Sequence, residues 1–215
     1  MPDAPSPPAA FDDWLKELLP LPAHVLAQME ESAMRHRLDL PGPHVGRLLH
    51  QLTQVVGARR VFDYGPRYGY CALWTAFAMG SEGRVTCLVR EEGARRRIQE
   101  NVDRAHFQER ISVIVGDPTE SLLKDPRPWD MVFLQFYEPS QLRLLEEAAA
   151  HVREGGYVVI FDVLPMLGAP GYSSEEAFEP AIAKDLKRLL LGRRDLFTAI
   201  VPLGKGLGLC LKVAT

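Results

Sequence analysis

VFDYGPRYGYC, residues 61–71, decides how the rest of the chain is read. Val61 and Phe62 lead into Asp63 and Tyr64; Gly65 and Gly69 then bracket three bulkier residues ahead of Tyr70 and Cys71. That order describes a buried strand ending in a tight turn that opens a helix. In an open parallel sheet a ligand sits beyond the carboxyl ends of the strands. A glycine at 65 lets the backbone approach such a ligand closely, and the helix that follows turns free amides toward it. The Asp63 carboxylate suits a ligand that carries a cation and repels a phosphate. By spacing alone, the two glycines fit a bare turn equally well.

Outward from this stretch, helix and strand patterns alternate. Upstream, FDDWLKELL and PAHVLAQMEESAMRHR read as amphipathic helices broken at Pro20 and Pro22, and residues 42–56 repeat apolar side chains at helical spacing. Downstream come a strand in GRVTCLV, a helix in EEGARRRIQENVDRAHF, a strand in RISVIVGD and a short helix in PTESLLK. WDMVFLQF reads as strand, PSQLRLLEEAAAHV as helix and GGYVVIFDVL as strand. PMLGAPGYSS reads as loop and EEAFEPAIAKDLKRLLLGR as mainly helix, while LFTAIVPL and GLGLCLKVA form an antiparallel hairpin joined at GK. Near-continuous apolar strands between amphipathic helices require a mostly parallel sheet covered on both faces, here with an antiparallel edge. One α/β domain is expected: a tail at 1–10, N-terminal helices at 11–56 and the sheet-bearing core at 57–215.

Bulk properties narrow the partners. A chain of 215 residues buries a sizeable core without disulfides or metal staples. The net charge is −3 and the basic residues are dispersed, which argues against nucleic acid. REEGARRR, residues 90–97, mixes both signs and reads as a solvated helix face. Cys71, Cys87 and Cys210 are odd in number and widely spaced, so they read as reduced packing residues of a cytoplasmic protein. No apolar run reaches the ~18–20 residues of a membrane span, and MPDAPSPPAAFDD lacks the basic and apolar regions of a signal peptide. The histidines of the N-terminal half, His24, His36, His44 and His50, read as boundary residues of amphipathic helices; His106 and His151 sit near helix ends, where the dipole accounts for them.

The order of these segments resembles the class I S-adenosylmethionine-dependent methyltransferases. It is most similar to the catechol-O-methyltransferase-like family of small-molecule O-methyltransferases. The resemblance runs from about residue 20 to the C-terminus. It is carried by GRLLHQL before the first strand, by VFDYGPRYGYC as the family's acid–x–Gly–x–x–x–Gly–Tyr–Ser loop, and by GRVTCLV, RISVIVGDP, WDMVFLQF and GGYVVIFDVL in the family's order. RRDLFTAIVPLGKGLGLCLKV resembles the closure of the family's Rossmann-like seven-stranded sheet. The implied cofactor is S-adenosylmethionine. Asp63 takes the place of the acid beside its methionine moiety, Gly65 and Pro66 that of the backbone contact, and Cys71 that of a serine that holds the carboxylate. Pro41 matches a residue covering the methionine side, Asp117 and Pro118 fall where the adenine is gripped, and Gln135 and Phe136 fall beside the cofactor. The resemblance also implies a homodimer.

Three departures bear on the chemistry. The acid that accepts the ribose hydroxyls is replaced by Val89, with Glu91 two residues on. The family's magnesium or calcium is held by an aspartate after the fourth strand and an Asp-Asn pair after the fifth, hard oxygen ligands for a hard cation. Here those positions carry Gln135 and Phe161-Asp162, so no metal is expected. The family's lysine near the substrate hydroxyl becomes Glu138, which reads either as a general base or as the N-terminal acid of its helix. Phe136 and Tyr137 read as an aromatic wall over the adenine or as packing. Two functions therefore stand: a metal-independent O-methyltransferase acting on a small molecule, or a catalytically inactive relative that binds the cofactor as a sensor or interaction subunit.

Overall fold

The computed structural model describes residues 18–19, 21–135, 141–172 and 179–214. Two helices precede the sheet, α1 (His24–His36) and α2 (Pro43–Val56). Pro43 opens α2 in the first turn, where its missing N–H has no helical acceptor to lose. Seven strands follow: β1 (Arg60–Tyr64), β2 (Arg84–Val89), β3 (Ile111–Val115), β4 (Trp129–Leu134), β5 (Val152–Phe161), β6 (Leu196–Val201) and β7 (Leu207–Lys212). They form one sheet in the order β3-β2-β1-β4-β5-β7-β6. β1 pairs in parallel with both β2 and β4, so the chain leaves β1 in one direction and later returns to its other side. That reversal opens a crevice at the carboxyl ends of these strands.

The helices α3 (Tyr70–Ala78), α4 (Glu92–Arg104), α5 (Pro118–Leu123), α6 (Leu142–His151), α7 (Val163–Met166) and α8 (Pro180–Leu191) complete the domain. Alternation along the strands sends side chains to two cores. Val61, Val85 and Phe133 pack with Leu26, Leu49 and Trp74 on one face; Phe62, Val132 and Ile160 pack with Leu145, Leu186 and Leu190 on the other. At the amino ends of the strands, Asp130 Oδ2 accepts the backbone N–H groups of Arg59 and Arg60, each at 2.8 Å. Arg153 donates to the other oxygen of Asp130 and, at 2.8 Å, to the carbonyl of Val56. One carboxylate thus ties β4 to β1, and the arginine adds β5 and the end of α2.

Several sequence expectations are corrected. The antiparallel hairpin does form one edge of the sheet, but in crossed order: β7 lies between β5 and β6, antiparallel to both, and β6 is outermost. The hairpin loop is the longer segment 202–206 rather than a two-residue GK turn. β5 begins at Val152, directly after α6, and stops at Phe161. Asp162 turns left-handed with φ 57°, and Val163–Met166, expected as strand end and loop, is helical. Aspartate is among the few non-glycine residues found in the left-handed region with any frequency. Helix α8 is shorter than the expected helix over 175–193, whose part at 175–178 lies outside the described residues. So do the tail at 1–10 and nearly all of FDDWLKELL.

Candidate functional site

The turn after β1 is left-handed over most of its length. Gly65 (φ 81°), Arg67 (φ 31°), Tyr68 (φ 62°) and Gly69 (φ 82°) all have positive φ. At Gly69 a side chain is excluded twice over, since a Cβ would also lie 3.0 Å from Ile98. The turn is held by Gly65 N–H to the Leu88 carbonyl at 3.3 Å and by Asn101 Nδ2 to the Tyr68 carbonyl at 3.0 Å. It thereby borders a cleft of about 260 Å³ lined by Gly65, Pro66, Arg67 and Tyr68 on one side and by Val89 and Ile98 on the other. A second hollow of similar volume, between α1 and α4, shares Tyr68 and Arg97 with the first.

Arg67 organises the far side of the turn. Its Nε donates to Gln135 Oε1 at 2.8 Å, and its Nη2 donates to Asp162 Oδ2. Nη1 lies 2.5 Å from Asp39 Oδ2 and donates to the Asp39 carbonyl at 3.3 Å. Gln135 closes the ring, donating from Nε2 to Asp162 Oδ2 at 2.9 Å. The guanidinium therefore joins the β1 turn to the ends of β4 and β5 and to the segment between α1 and α2. A non-glycine residue in the left-handed region costs roughly 1–2 kcal/mol. A hydrogen bond to a charged group contributes about 1.5–3 kcal/mol, so the cluster outweighs the strain it imposes on Arg67.

The expected site residues are distributed unevenly over this geometry. Gly65, Pro66 and Val89 line the cleft. Asp63 is 1 % exposed beneath it; its Oδ2 is buried with no hydrogen-bond partner, and burial pushes its carboxyl up to about 8. Cys71 is buried in the first turn of α3, its thiol pushed up by burial first and then by the nearby Asp63. Asp117 caps α5, its Oδ1 accepting from Glu120 N–H at 2.9 Å, while Pro118 is buried at the head of that helix. Pro41 stands beside Gly204 of the β6–β7 loop, its carbonyl 3.6 Å from where a Gly204 Cβ would be. Gln135 is 5 % exposed and belongs to the arginine cluster. Phe136 and Glu138 lie outside the described residues. Arg67 was missed: between two glycines it reads as filler of a turn, and only the fold brings it to its partners.

The residues present fit the expected cofactor and the cation of the resembled family differently. The orphaned Asp63 oxygen and the glycine turn suit the aminoacyl end of S-adenosylmethionine, whereas Val89 offers no acceptor to a ribose. A divalent cation does not fit. Phe161 is 5 % exposed and stacks edge-on against Phe133 with ring centroids 6.2 Å apart. Gln135 is neutral, and Asp162 is already paired with a guanidinium. No group of three or more His, Cys, Asp or Glu that could hold a metal occurs among the described residues.

An open sheet with a glycine turn at the reversal between β1 and β4 is the architecture of a class I methyltransferase. Over residues 22–213 the chain matches the O-methyltransferase family, and it belongs to that family. It is 28% identical over 120 residues to catechol O-methyltransferase of Mycobacterium tuberculosis, a match spanning 55% of this chain and 54%, about half, of that protein. It is 23% identical over 202 residues to caffeoyl-CoA O-methyltransferase of Populus kitakamiensis, covering 87% of this chain and 86% of the relative. Among solved structures, the O-methyltransferase TomG of Streptomyces achromogenes, in complex with SAM, superposes with a TM-score of 0.79 at 23% identity, covering 95% of this chain and 96% of TomG. An O-methyltransferase of Bacillus cereus, in complex with SAH, superposes with a TM-score of 0.78 at 20% identity, covering 94% and 97%. These likenesses establish the shared fold. No described helix is long and apolar enough to cross a membrane.

Proposed function

We propose that the protein transfers the methyl group of S-adenosylmethionine to an oxygen of a small molecule without help from a divalent metal. The observation that carries the reading is the cleft bordered by the left-handed Gly65–Gly69 turn at the carboxyl ends of β1 and β2. The cofactor supplies an electrophilic methyl on a sulfonium. Gly65 and Pro66 hold it by close backbone approach, and Asp63 beneath them takes the charge of its ammonium group. Asp117 and Pro118 meet the adenine at the end of β3, and Pro41 closes the cleft over the methionine side. Cys71 contributes its backbone amide, since a protonated thiol is a weak donor. Glu138 is the proposed base for the acceptor proton. Rate enhancement then rests on proximity and orientation of the two reactants.

A second reading is an inactive relative that binds the cofactor as a sensor, and Val89 favours it. A buried valine at the end of β2 leaves ribose hydroxyls without a charged acceptor, which costs about 1.5–3 kcal/mol, ten- to a hundredfold in affinity. Calorimetric titration with S-adenosylmethionine and its demethylated product, with and without magnesium and chelator, tests both. Binding unaffected by chelation, followed by methyl transfer to any member of an oxygen-acceptor panel, is the result expected of the enzyme. Binding without turnover supports the sensor. Absence of binding to either ligand removes both. The buried thiols of Cys71, Cys87 and Cys210, all unpaired, support the proposed cytoplasmic location.

A further inference from the structure

We propose that Arg67 is the resident cation of this site: its guanidinium fills the polar cluster at the ends of β4 and β5, excludes divalent ions from it, and latches the segment around Asp39 over the cleft. The inference extends the metal-independent reading above. It concerns cation binding by the free protein, so it stands or falls separately from methyl transfer.

Three observations carry it. First, the guanidinium meets oxygens from three separate places, Gln135 Oε1 after β4, Asp162 Oδ2 after β5 and Asp39 between α1 and α2. Oxygens converging from separate elements are the surroundings a hard cation selects, and here a planar fork with fixed donors takes them instead. Second, the burial is graded. The side chain of Arg67 is 12% exposed and that of Asp162 22%, while Asp39 is 66% exposed. The inner ion pair is thus sheltered and the outer one faces water, as expected of a fixed cation with an exchangeable partner at the cleft mouth. Third, the backbone of Arg67 is held at φ 31° beside Tyr68 at φ 62°. A left-handed arginine next to a left-handed tyrosine persists only where the surroundings over-determine it. The side-chain cluster is what does so.

Charge decides the consequence. With Arg67 in place, Asp162 has a neighbour carrying a full positive charge, and an incoming divalent ion meets repulsion as well as an occupied space. Without it, Asp162, Asp39 and the Gln135 amide oxygen remain as unneutralised oxygens around a vacated volume. The test is calcium binding, by calorimetry and thermal melting, on the full chain without cofactor. Wild type should bind no calcium and keep its Tm in millimolar calcium. Arg67→Ala should melt lower in calcium-free buffer and gain about 3–6 °C at a tenfold excess of calcium over its Kd. Arg67→Lys keeps a charge and should remain insensitive to calcium. The double variant Arg67→Ala/Asp162→Asn should lose the gain, a result that a purely structural role for Arg67 does not anticipate. If Arg67→Ala folds only when calcium is present, the proposal is supported in a stronger form. Calcium binding by wild type, or a folded Arg67→Ala that binds none, overturns it, as does an unfolded one that calcium does not rescue.

Discussion

At the scale of single residues, Asp63 has the most exposed consequences for so buried a group. Its carboxyl is lifted from the ordinary 3.8 to about 8 by burial, with one oxygen unpartnered. An acid whose folded-state pKa is raised contributes stability that is complete below its unfolded value and is lost as pH climbs through the folded one. The window is therefore pH 4 to 8. The loss above it amounts to at most on the order of 6 kcal/mol, at about 1.4 kcal/mol per pH unit. Asp63→Asn keeps the shape of the neutral form. It should flatten the fall in Tm that wild type shows between pH 5 and pH 8.5, and it should also weaken S-adenosylmethionine. Parallel pH melts of the two proteins decide the first point; an unchanged slope in the variant means that Asp63 is ionised in the free protein. The position of Asp63 was legible from VFDYGPRYGYC because strand, acid and glycine are contiguous there. Arg67 was not, since its partners Asp39, Gln135 and Asp162 are 28, 68 and 95 residues away. A contact of that kind exists only after β1, β4 and β5 have been laid side by side.

At the scale of elements, the alternation of helix and strand was readable because hydrophobic period and buried face coincide. The errors fall where tertiary pairing overrides local pattern. Val163–Met166, read as strand end and loop, is helical, and it begins where Asp162 turns the chain and its carboxylate meets Arg67. The insertion of β7 between β5 and β6 leaves no trace in either strand's own sequence. Packing between elements yields two expectations of different origin. Helix α2 approaches α3 at Gly46, where a Cβ would fall 2.2 Å from the indole nitrogen of Trp74, itself 2 % exposed. Alanine is the better helix former by about 1 kcal/mol, but an overpacked core costs about 1–3 kcal/mol, and here the obstructing group is a rigid ring. Gly46→Ala should therefore be destabilising overall, by up to roughly 2 kcal/mol in urea unfolding. A neutral or stabilised variant would show that the two helices can part without loss. Asp130→Ala at the opposite end of the sheet should cost about 1–3 kcal/mol, chiefly because it leaves two backbone donors without their acceptor, the half-exposed Arg153 keeping its bond to the Val56 carbonyl. Cofactor affinity should be unchanged, as the cluster lies at the amino ends of the strands; a loss of affinity beyond twofold would tie that end of the sheet to the cleft.

At the scale of the whole molecule, the sheet ends in two edge strands, β3 and β6. At its outer edge runs β6, LFTAIV, six residues without a charge or proline, with Phe197 70% exposed on it. Leu191, at the end of α8, is 61% exposed in the helix that leads into this strand. Among the described residues β6 pairs only with β7, so one side of it presents unpaired backbone groups. Soluble proteins blunt such an edge with charges, prolines or bulges, or cover it. The nearest charges and proline, Asp195 before the strand and Pro202 and Lys205 after it, lie outside it. A cover is the remaining solution, and a second copy of this chain is the partner that the homodimer implied by the family resemblance would provide. We therefore expect a mass of about twice 24.1 kDa by light scattering at micromolar concentration. Phe197→Lys places a charge in the middle of that edge and should shift the population toward monomer. Cofactor affinity should stay within twofold of wild type, because the cleft lies at β1 and β2, on the far side of β4, β5 and β7. A monomeric wild type throughout the micromolar range would end the dimer proposal, and a dimer indifferent to Phe197→Lys would move the interface elsewhere, to the N-terminal helices.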